Sequence, residues 1–225
     1  HNLIKTGDKV LLSMSAGKDS MAMLQVMLQL RDEYSLDLGI FHLNHCMRGK
    51  ESDEDEKLLR KLASDNGISI FCNYYDFNGE NMRGMSFEDH ARNIRYQMTK
   101  SIMKEKGYTR LCTAHNRDDQ SETILMRVLS GTGIHGLAGI TRVRGNIRRP
   151  IMWASAEEVY AFLKDTGVQW REDSSNSENL YLRNFIRNRL LPLAEERIPS
   201  AKKALSSLGW LAAEQQRMVS HLIQK

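Results

Sequence analysis

Four extended apolar runs, at 9–14, 38–43, 68–74 and 110–114, constrain this chain more than any other feature. Helix-like segments fill the gaps between them. Met21, Leu24, Met27 and Leu28 make one helical stripe; Leu58, Leu59 and Leu62 make a second, which Gly67 ends. A third helix opens at Ser86, carries Glu88 and Asp89 in its first turn and stops at Gly107. A fourth runs from Asp119 to Ser130 and is closed by Gly131. Strand starts roughly thirty residues apart are what right-handed βαβ units produce. The expected fold is therefore α/β: a doubly wound, mainly parallel sheet whose ligand crevice lies at the carboxyl ends of the strands.

The pattern changes after Pro150. Ser155 and Glu158 read as a capping box for a helix to about Thr166, ended by Gly167. A polar loop at 171–179 precedes a basic helix over about 181–197. Residues 201–225 suggest one more helix, with Leu205, Leu208, Leu211 and Met218 as a partial apolar stripe. We expect residues 1–200 to form the ligand-binding domain. Residues 201–225 are then a helical appendage, either a linker or the start of a further domain.

The 225 residues are 41% hydrophobic and 27% charged, enough apolar mass for a real core in a soluble protein. No apolar run reaches the roughly 18 residues of a membrane span, and no signal-peptide pattern occurs, so a cytoplasmic protein without membrane contact is expected. Cys46, Cys72 and Cys112 contain no C-x-x-C, which argues against a disulfide framework, a zinc ribbon or an iron–sulfur site. Net charge is only +4, but Arg142, Arg144, Arg148 and Arg149 fall together without an intervening acid, and Arg183, Arg187 and Arg189 follow. Such clusters suit a phosphate backbone, and they equally suit a solvated basic face.

Directly after the first strand comes Ser15-Ala16-Gly17-Lys18-Asp19-Ser20, an S-x-G-x-D-S loop opening a helix. Unpaired amides and the positive end of a helix macrodipole converge at such a spot and attract phosphate. A Walker A loop is excluded, because Gly17-Lys18 runs into Asp19 where that motif needs Ser or Thr. An ordinary strand-to-helix turn capped by Ser15 or Ser20 is the alternative. Three further segments should reach the same sheet edge: 42–49, 113–123 and the glycine-rich 131–140. Asp119 and Glu122 stand three apart, so both carboxylates share one helix face. They suit magnesium beside phosphates, a substrate ammonium group, or simply solvent at a helix start.

The S-A-G-K-D-S loop resembles that of the PP-loop ATP pyrophosphatases. With it go H-L-N-H-C-M-R-G-K-E-S-D-E-D, S-F-E-D-H-A-R-N-I-R-Y, A-H-N-R-D-D-Q-S-E-T, G-T-G-I-H-G-L-A-G-I, R-R-P-I, W-R-E-D-S-S-N and R-N-F-I-R-N-R-L-L-P. Ordered along nearly the whole chain, these are similar to the tRNA(Ile)-lysidine synthetase branch of that superfamily. The resemblance implies an adenine nucleotide alpha hydrolase-like, Rossmann-type fold and an ATP-dependent ligase of tRNA modification. ATP, with Mg2+, would adenylate the wobble cytidine of tRNA(Ile), and the ε-amine of free L-lysine would then replace AMP.

The resemblance also implies site roles. Ser15, Ala16, Gly17, Lys18, Asp19 and Ser20, with His42 and Asn44, would bind ATP, and Asp19 would face the metal. Asp119 and Glu122 would receive the lysine. His115, with Asp19, Arg92 and Arg95, would serve catalysis, the arginines at phosphate or transition state or else merely on a helix surface. Either His115 or a nearby carboxylate would accept the amine's proton. Arg148, Arg149, Arg183 and Arg187 would hold the tRNA, and Trp153 or Trp170 would supply an aromatic shelf if neither is core. A homodimer is compatible with this scheme. Two positions depart from the family pattern: Ala16 stands for the usual glycine, so the loop has either a normal φ there or an altered shape, and Asn44 stands for an aspartate. The competing readings are a PP-loop tRNA thiolase, which usually relies on paired cysteines, and a non-catalytic tRNA-binding PP-loop protein.

Overall fold

A computed structural model describes residues 3–46, 50–77, 87–171 and 182–223. The sheet is built as the spacing predicts. Strand β1, Lys9–Met14, leads through helix α1, Lys18–Arg31, to β2, Asp37–Asn44; helix α2, Lys50–Asp65, leads on to β3, Ser69–Tyr74. Helix α3, Phe87–Lys106, precedes β4, Arg110–Thr113, and helix α4, Arg117–Leu129, follows it. The expected start of α3 at Ser86 lies outside the described residues. Gly67 and Gly107 both take left-handed φ, the conformation that ends a helix without straining a Cβ.

Strand order is β3-β2-β1-β4-β6-β5, where β5 is Val143–Arg144 and β6 is Ile147–Arg148. Every pairing is parallel except β5 with β6. Because β2 and β4 flank β1 on opposite sides, the end of β1 is a point where crossovers lead away in two directions, the usual place for a ligand crevice. The basic cluster at 142–149 falls on the β5–β6 hairpin, an element for which the sequence reading gave no expectation. Its turn is Gly145-Asn146, with Gly145 at φ 56.

Two compact units make up the chain. The first comprises residues 1–114, 143–150 and 162–171, and so contains the whole sheet with α1, α2 and α3. Its core brings Leu11, Phe41, Leu43, Tyr108 and Leu111 together with Ile94, Ile102 and Met103 of α3. Gly39 has no room for a side chain, since a Cβ there would meet the Tyr108 ring.

The second unit comprises 115–142, 151–161 and 172–225. It holds α4; α5, Ile134–Leu137; the first half of α6, Ala156–Thr166; α7, Leu182–Phe185; α8, Leu191–Arg197; and α9, Ala201–Ile223. The capping box expected at the start of α6 is present, the Ser155 amide reaching Glu158 and the Glu158 amide reaching Ser155. Between α7 and α8 the basic segment is not one regular α-helix, as the sequence suggests, but passes through a π-helical turn at Ile186–Leu190. Pro192 in the first turn of α8 explains the interruption, since its ring cannot continue the hydrogen-bond ladder of an undisturbed helix. Helix α9 packs along α4; Gly209 makes this possible, because a Cβ there would collide with Gln120 and Ile124. No helix among the described residues is long and apolar enough to cross a membrane.

Candidate active site

The loop after β1 holds its shape through its own residues. Ser20 Oγ donates to the Gly17 carbonyl at 2.8 Å and accepts from the Ser15 amide at 3.4 Å, while the Met21 amide also reaches Gly17 O. Gly17 is the N-cap of α1 in an extended conformation, and no side chain caps the helix. The N-cap therefore closes none of the first-turn amides with a side chain of its own, and Asp19 stands among them as the one acid of that turn. Ala16 is fully buried and has φ 61. The loop thus keeps the left-handed turn that a glycine would make, and the normal φ allowed as one alternative by the sequence is not adopted. That conformation costs an alanine about 1–2 kcal/mol.

The end of β2 carries two of the expected residues beside this loop. His42 is buried, with Nδ1 3.0 Å from the Met14 carbonyl. A carbonyl can only accept, so Nδ1 carries the proton and Nε2 is left as an acceptor, buried and without a partner among the described residues. Burial holds this imidazole below its ordinary pKa and keeps it neutral, against the upward pull of the Met14 carbonyl. Asn44, also buried, accepts the Cys46 amide on Oδ1 at 2.9 Å and hydrogen-bonds Glu56. Glu56 in turn is held by Tyr74 and Arg60. An aspartate at 44 would set two carboxylates against each other, which gives the departure from the family pattern a local cause. The remainder of that motif, Met47 to Gly49, lies outside the described residues.

On α3, Arg95 brings Nη2 to 3.4 Å from His45 Nε2, and burial works against its charge. Arg92 is half-buried one turn earlier and is near enough to depress the pKa of Arg149. Arg149 is buried beside Tyr96, with which it hydrogen-bonds, and Arg148 spends its guanidinium on the carbonyls of Leu3, Gly145 and Ile147. Neither arginine projects from the hairpin as a free cation. Arg144 is the exposed arginine there.

In the second unit, His115 is half-buried and directly precedes α4. The N-terminus of α4 is closed by a full capping box: the Asn116 side chain takes the Asp119 amide at 3.0 Å, and Asp119 takes the Asn116 amide at 2.9 Å. The other oxygen of Asp119 accepts from Arg183 at 2.8 Å and from Arg187 at 3.3 Å. Glu122, only 2% exposed, accepts from Arg183 at 2.8 Å and from Arg187 at 2.6 Å. Burial acts to lower the Arg183 pKa, but the two carboxylates outweigh it and the net shift is upward. The two acids expected at the lysine and two of the arginines expected at the tRNA thus form one cluster. Nothing in the sequence links them, and only the i, i+4 spacing of Arg183 and Arg187 indicates that they share a face.

Near the cluster's own helix, Lys202 reaches Asp118 and Glu195, both at 3.2 Å. The glycine-rich segment is clamped by Gln120, which donates to the Ala138 carbonyl and accepts the Ile140 amide, and by Arg127 on Gly136. Of the candidate aromatics, Trp153 is exposed and its carbonyl accepts from Arg117. Trp170 lies in the first unit. Among the described residues no group of three or more His, Cys, Asp or Glu side chains is arranged to hold a metal ion. A lone carboxylate such as Asp19 still fits magnesium that arrives on nucleotide phosphates, because that ion keeps mostly water and phosphate ligands.

Several tRNA(Ile)-lysidine synthases align over most of the chain. That of Clostridium tetani is 38% identical over 198 residues, covering 87% of this chain and 42% of that protein. That of Chlorobaculum tepidum is 38% identical over 207 residues, covering 92% and 62%. That of Streptococcus sanguinis is 38% identical over 218 residues, covering 95% and 48%. The chain spans about half the length of these relatives. Among solved structures, a U34-tRNA thiolase from Methanococcus maripaludis superposes with a TM-score of 0.76 over 95% of this chain and 74% of that one, at 17% identity, a likeness of fold. The family model describing the PP-loop domain matches residues 1–194, so the chain belongs to the PP-loop domain family.

Proposed function

We propose that this chain is the catalytic part of a tRNA(Ile)-lysidine synthase, with residues 1–200 as its core and 201–225 as an appendage. In the first step the 2-oxo group of the wobble cytidine attacks the α-phosphorus of ATP, and the bond to the β-phosphate breaks to release pyrophosphate. In the second, the ε-nitrogen of lysine attacks the activated ring carbon, the bond from that carbon to oxygen breaks, and AMP leaves with the oxygen. An amide-like oxygen is a poor leaving group, and adenylation makes it a good one.

In this scheme the amides from Ala16 to Ser20 bind the phosphates, and Asp19 holds magnesium, which supplies charge neutralisation there. His42, neutral and with Nε2 unprotonated, offers a hydrogen-bond acceptor beside the loop, and Asn44 shapes the turn after β2. Arg92 and Arg95 are assigned to the phosphates. The incoming amine must lose a proton, and His115 and the carboxylates of α4 are the groups available to take it.

The observation that carries the lysine part is the four-residue cluster on α4 and the basic segment. Free lysine is a zwitterion with an extra ammonium group, so its site needs both signs of charge. Asp119 and Glu122 offer carboxylates, and Arg183 and Arg187 offer guanidinium groups within 3.3 Å of them. Arg187, with its side chain 38% exposed against 18% for Arg183, is the one placed to release an acid and take the lysine carboxylate. We assign both arginines to lysine rather than RNA, and leave RNA contact to exposed positions such as Arg144.

The test supplies ATP, unmodified tRNA(Ile) and radiolabelled lysine, and follows label into RNA with AMP and pyrophosphate release. Label incorporation that needs all three substrates is expected. Incorporation of sulfur from a donor system instead would favour a thiolase, and tRNA binding without ATP turnover would favour a non-catalytic RNA-binding protein.

A further inference from the structure

Residue 171 reaches back to the phosphate-binding loop. The Arg171 amide donates to the Ala16 carbonyl at 3.1 Å, and Gly17 and Arg171 register as an isolated parallel bridge. The Arg171 side chain is tied down in turn: Nη1 lies 2.7 Å from Glu54 Oε2 and Nε lies 2.6 Å from Asp55 Oδ1, both on α2. All of these residues belong to the first unit. From this geometry we infer that Arg171 is a positioning residue: its main chain pins the Ala16–Gly17 peptide in the orientation that presents the Gly17 N–H to a phosphate. The inference rests on the reading of this loop as the nucleotide site.

In a trans peptide the carbonyl and the N–H point in opposite directions. A carbonyl of Ala16 held by the strap therefore turns the Gly17 N–H to the side that the strap leaves open. Ala16 needs such restraint more than glycine would, because its φ of 61 is a conformation it would leave if released. The loop's other bonds, through Ser20, fix the Gly17 carbonyl and the Ser15 amide but not this peptide. The charged anchor sets the strap's position, since Asp55 and Glu54 leave the guanidinium little freedom to shift.

The test compares wild type with Arg171→Ala, Arg171→Lys and Asp55→Asn, each first shown to melt cooperatively. ATP and adenosine affinities are measured by calorimetry, with KM values for ATP, lysine and tRNA. Arg171→Ala should weaken ATP about tenfold, the effect of one misplaced hydrogen bond to a charged group. Adenosine affinity and the KM for lysine should stay within about twofold. Arg171→Lys should restore most of the ATP affinity, and Asp55→Asn should fall between. Equal weakening of ATP and adenosine, or a lower melting temperature with ATP affinity unchanged, overturns the inference. If wild type binds no ATP, the nucleotide reading fails, and the strap is then judged by the NMR resonance of the Gly17 amide. A resonance that moves or broadens in Arg171→Ala supports the pinning; one that stays in place overturns it.

Discussion

Helices α1 and α4 both begin within three or four residues of the end of a strand, yet their N-termini are finished in opposite ways. Helix α4 is sealed: Asn116 and Asp119 cap each other's amides, and the remaining oxygen of Asp119 is bonded to Arg183 and Arg187. Helix α1 begins at a glycine with no capping side chain, behind an alanine held at φ 61. A helix N-terminus attracts anions only while its amides are available. The first pole carries no capping side chain and meets only the main chain of Arg171, and the second has been closed by side chains of its own. The acids of α4 are for the same reason not solvated first-turn residues but members of a fixed charged cluster.

The sharpest way to break this comparison is to seal α1 as α4 is sealed. Gly17→Asp fits sterically, since its φ is −72 and a Cβ would come no nearer than 3.4 Å to another heavy atom. The new carboxylate would cap the first-turn amides and add a few tenths of a kcal/mol of stability. It would also stand where a phosphate binds, and like charges in contact cost several kcal/mol. Calorimetric titration should therefore show ATP affinity down by about a thousandfold in a protein that melts no lower than wild type. Retained ATP binding would mean that the open pole of α1 is not the phosphate site.

The sealed region should respond differently. Glu122→Gln removes the charge of a buried carboxylate that faces the largely buried Arg183, so about 3 kcal/mol of stability should be lost in urea denaturation. ATP affinity should not follow. A loss below about 1 kcal/mol would show that the cluster is held loosely and that its acids are open to solvent. Opening the cap itself is milder: Asn116→Ala should cost about 1 kcal/mol, again with ATP binding unchanged. A tenfold drop in ATP affinity there would mean that the capped pole of α4 also serves the nucleotide, and the two helix starts would then not differ in function.

What the sequence disclosed follows the range of the interaction. The strands, the cap of α6 by Ser155 and Glu158, and the helix ends at Gly67 and Gly107 rest on neighbours within a few residues, and pattern reading found them. The β5–β6 hairpin was equally local; Gly145-Asn146 between two Val/Ile-Arg pairs is its signature, overshadowed by the arginines around it. The cluster on α4 could not be read, because Arg183 and Arg187 meet their acids 61 to 68 positions away. Charge in a sequence also carries no burial: Arg149 looks like Arg144 on paper, but one is buried beside Tyr96 and the other is exposed. The strap from Arg171 to Ala16 is likewise a long-range main-chain contact with no side-chain code.

The smallest expected effect belongs to Ala16, and three opposing terms set it. Replacing it with glycine releases about 1–2 kcal/mol of left-handed strain. Against this, the unfolded chain gains freedom worth about 0.4–1 kcal/mol, and the loss of one fully buried methyl group costs about 0.8 kcal/mol. Stability of Ala16→Gly should consequently lie within about 1 kcal/mol of wild type, measured by denaturant unfolding, because these terms nearly cancel. ATP affinity should change by less than about threefold, since the strap still holds the carbonyl of residue 16 and α1 is still uncapped. A loss above about 2 kcal/mol would mean that the methyl packs the loop against the core more strongly than its φ strains it. The open pole of α1 would then be maintained by side-chain packing, and the alanine would be a support for the loop rather than a tolerated departure from glycine.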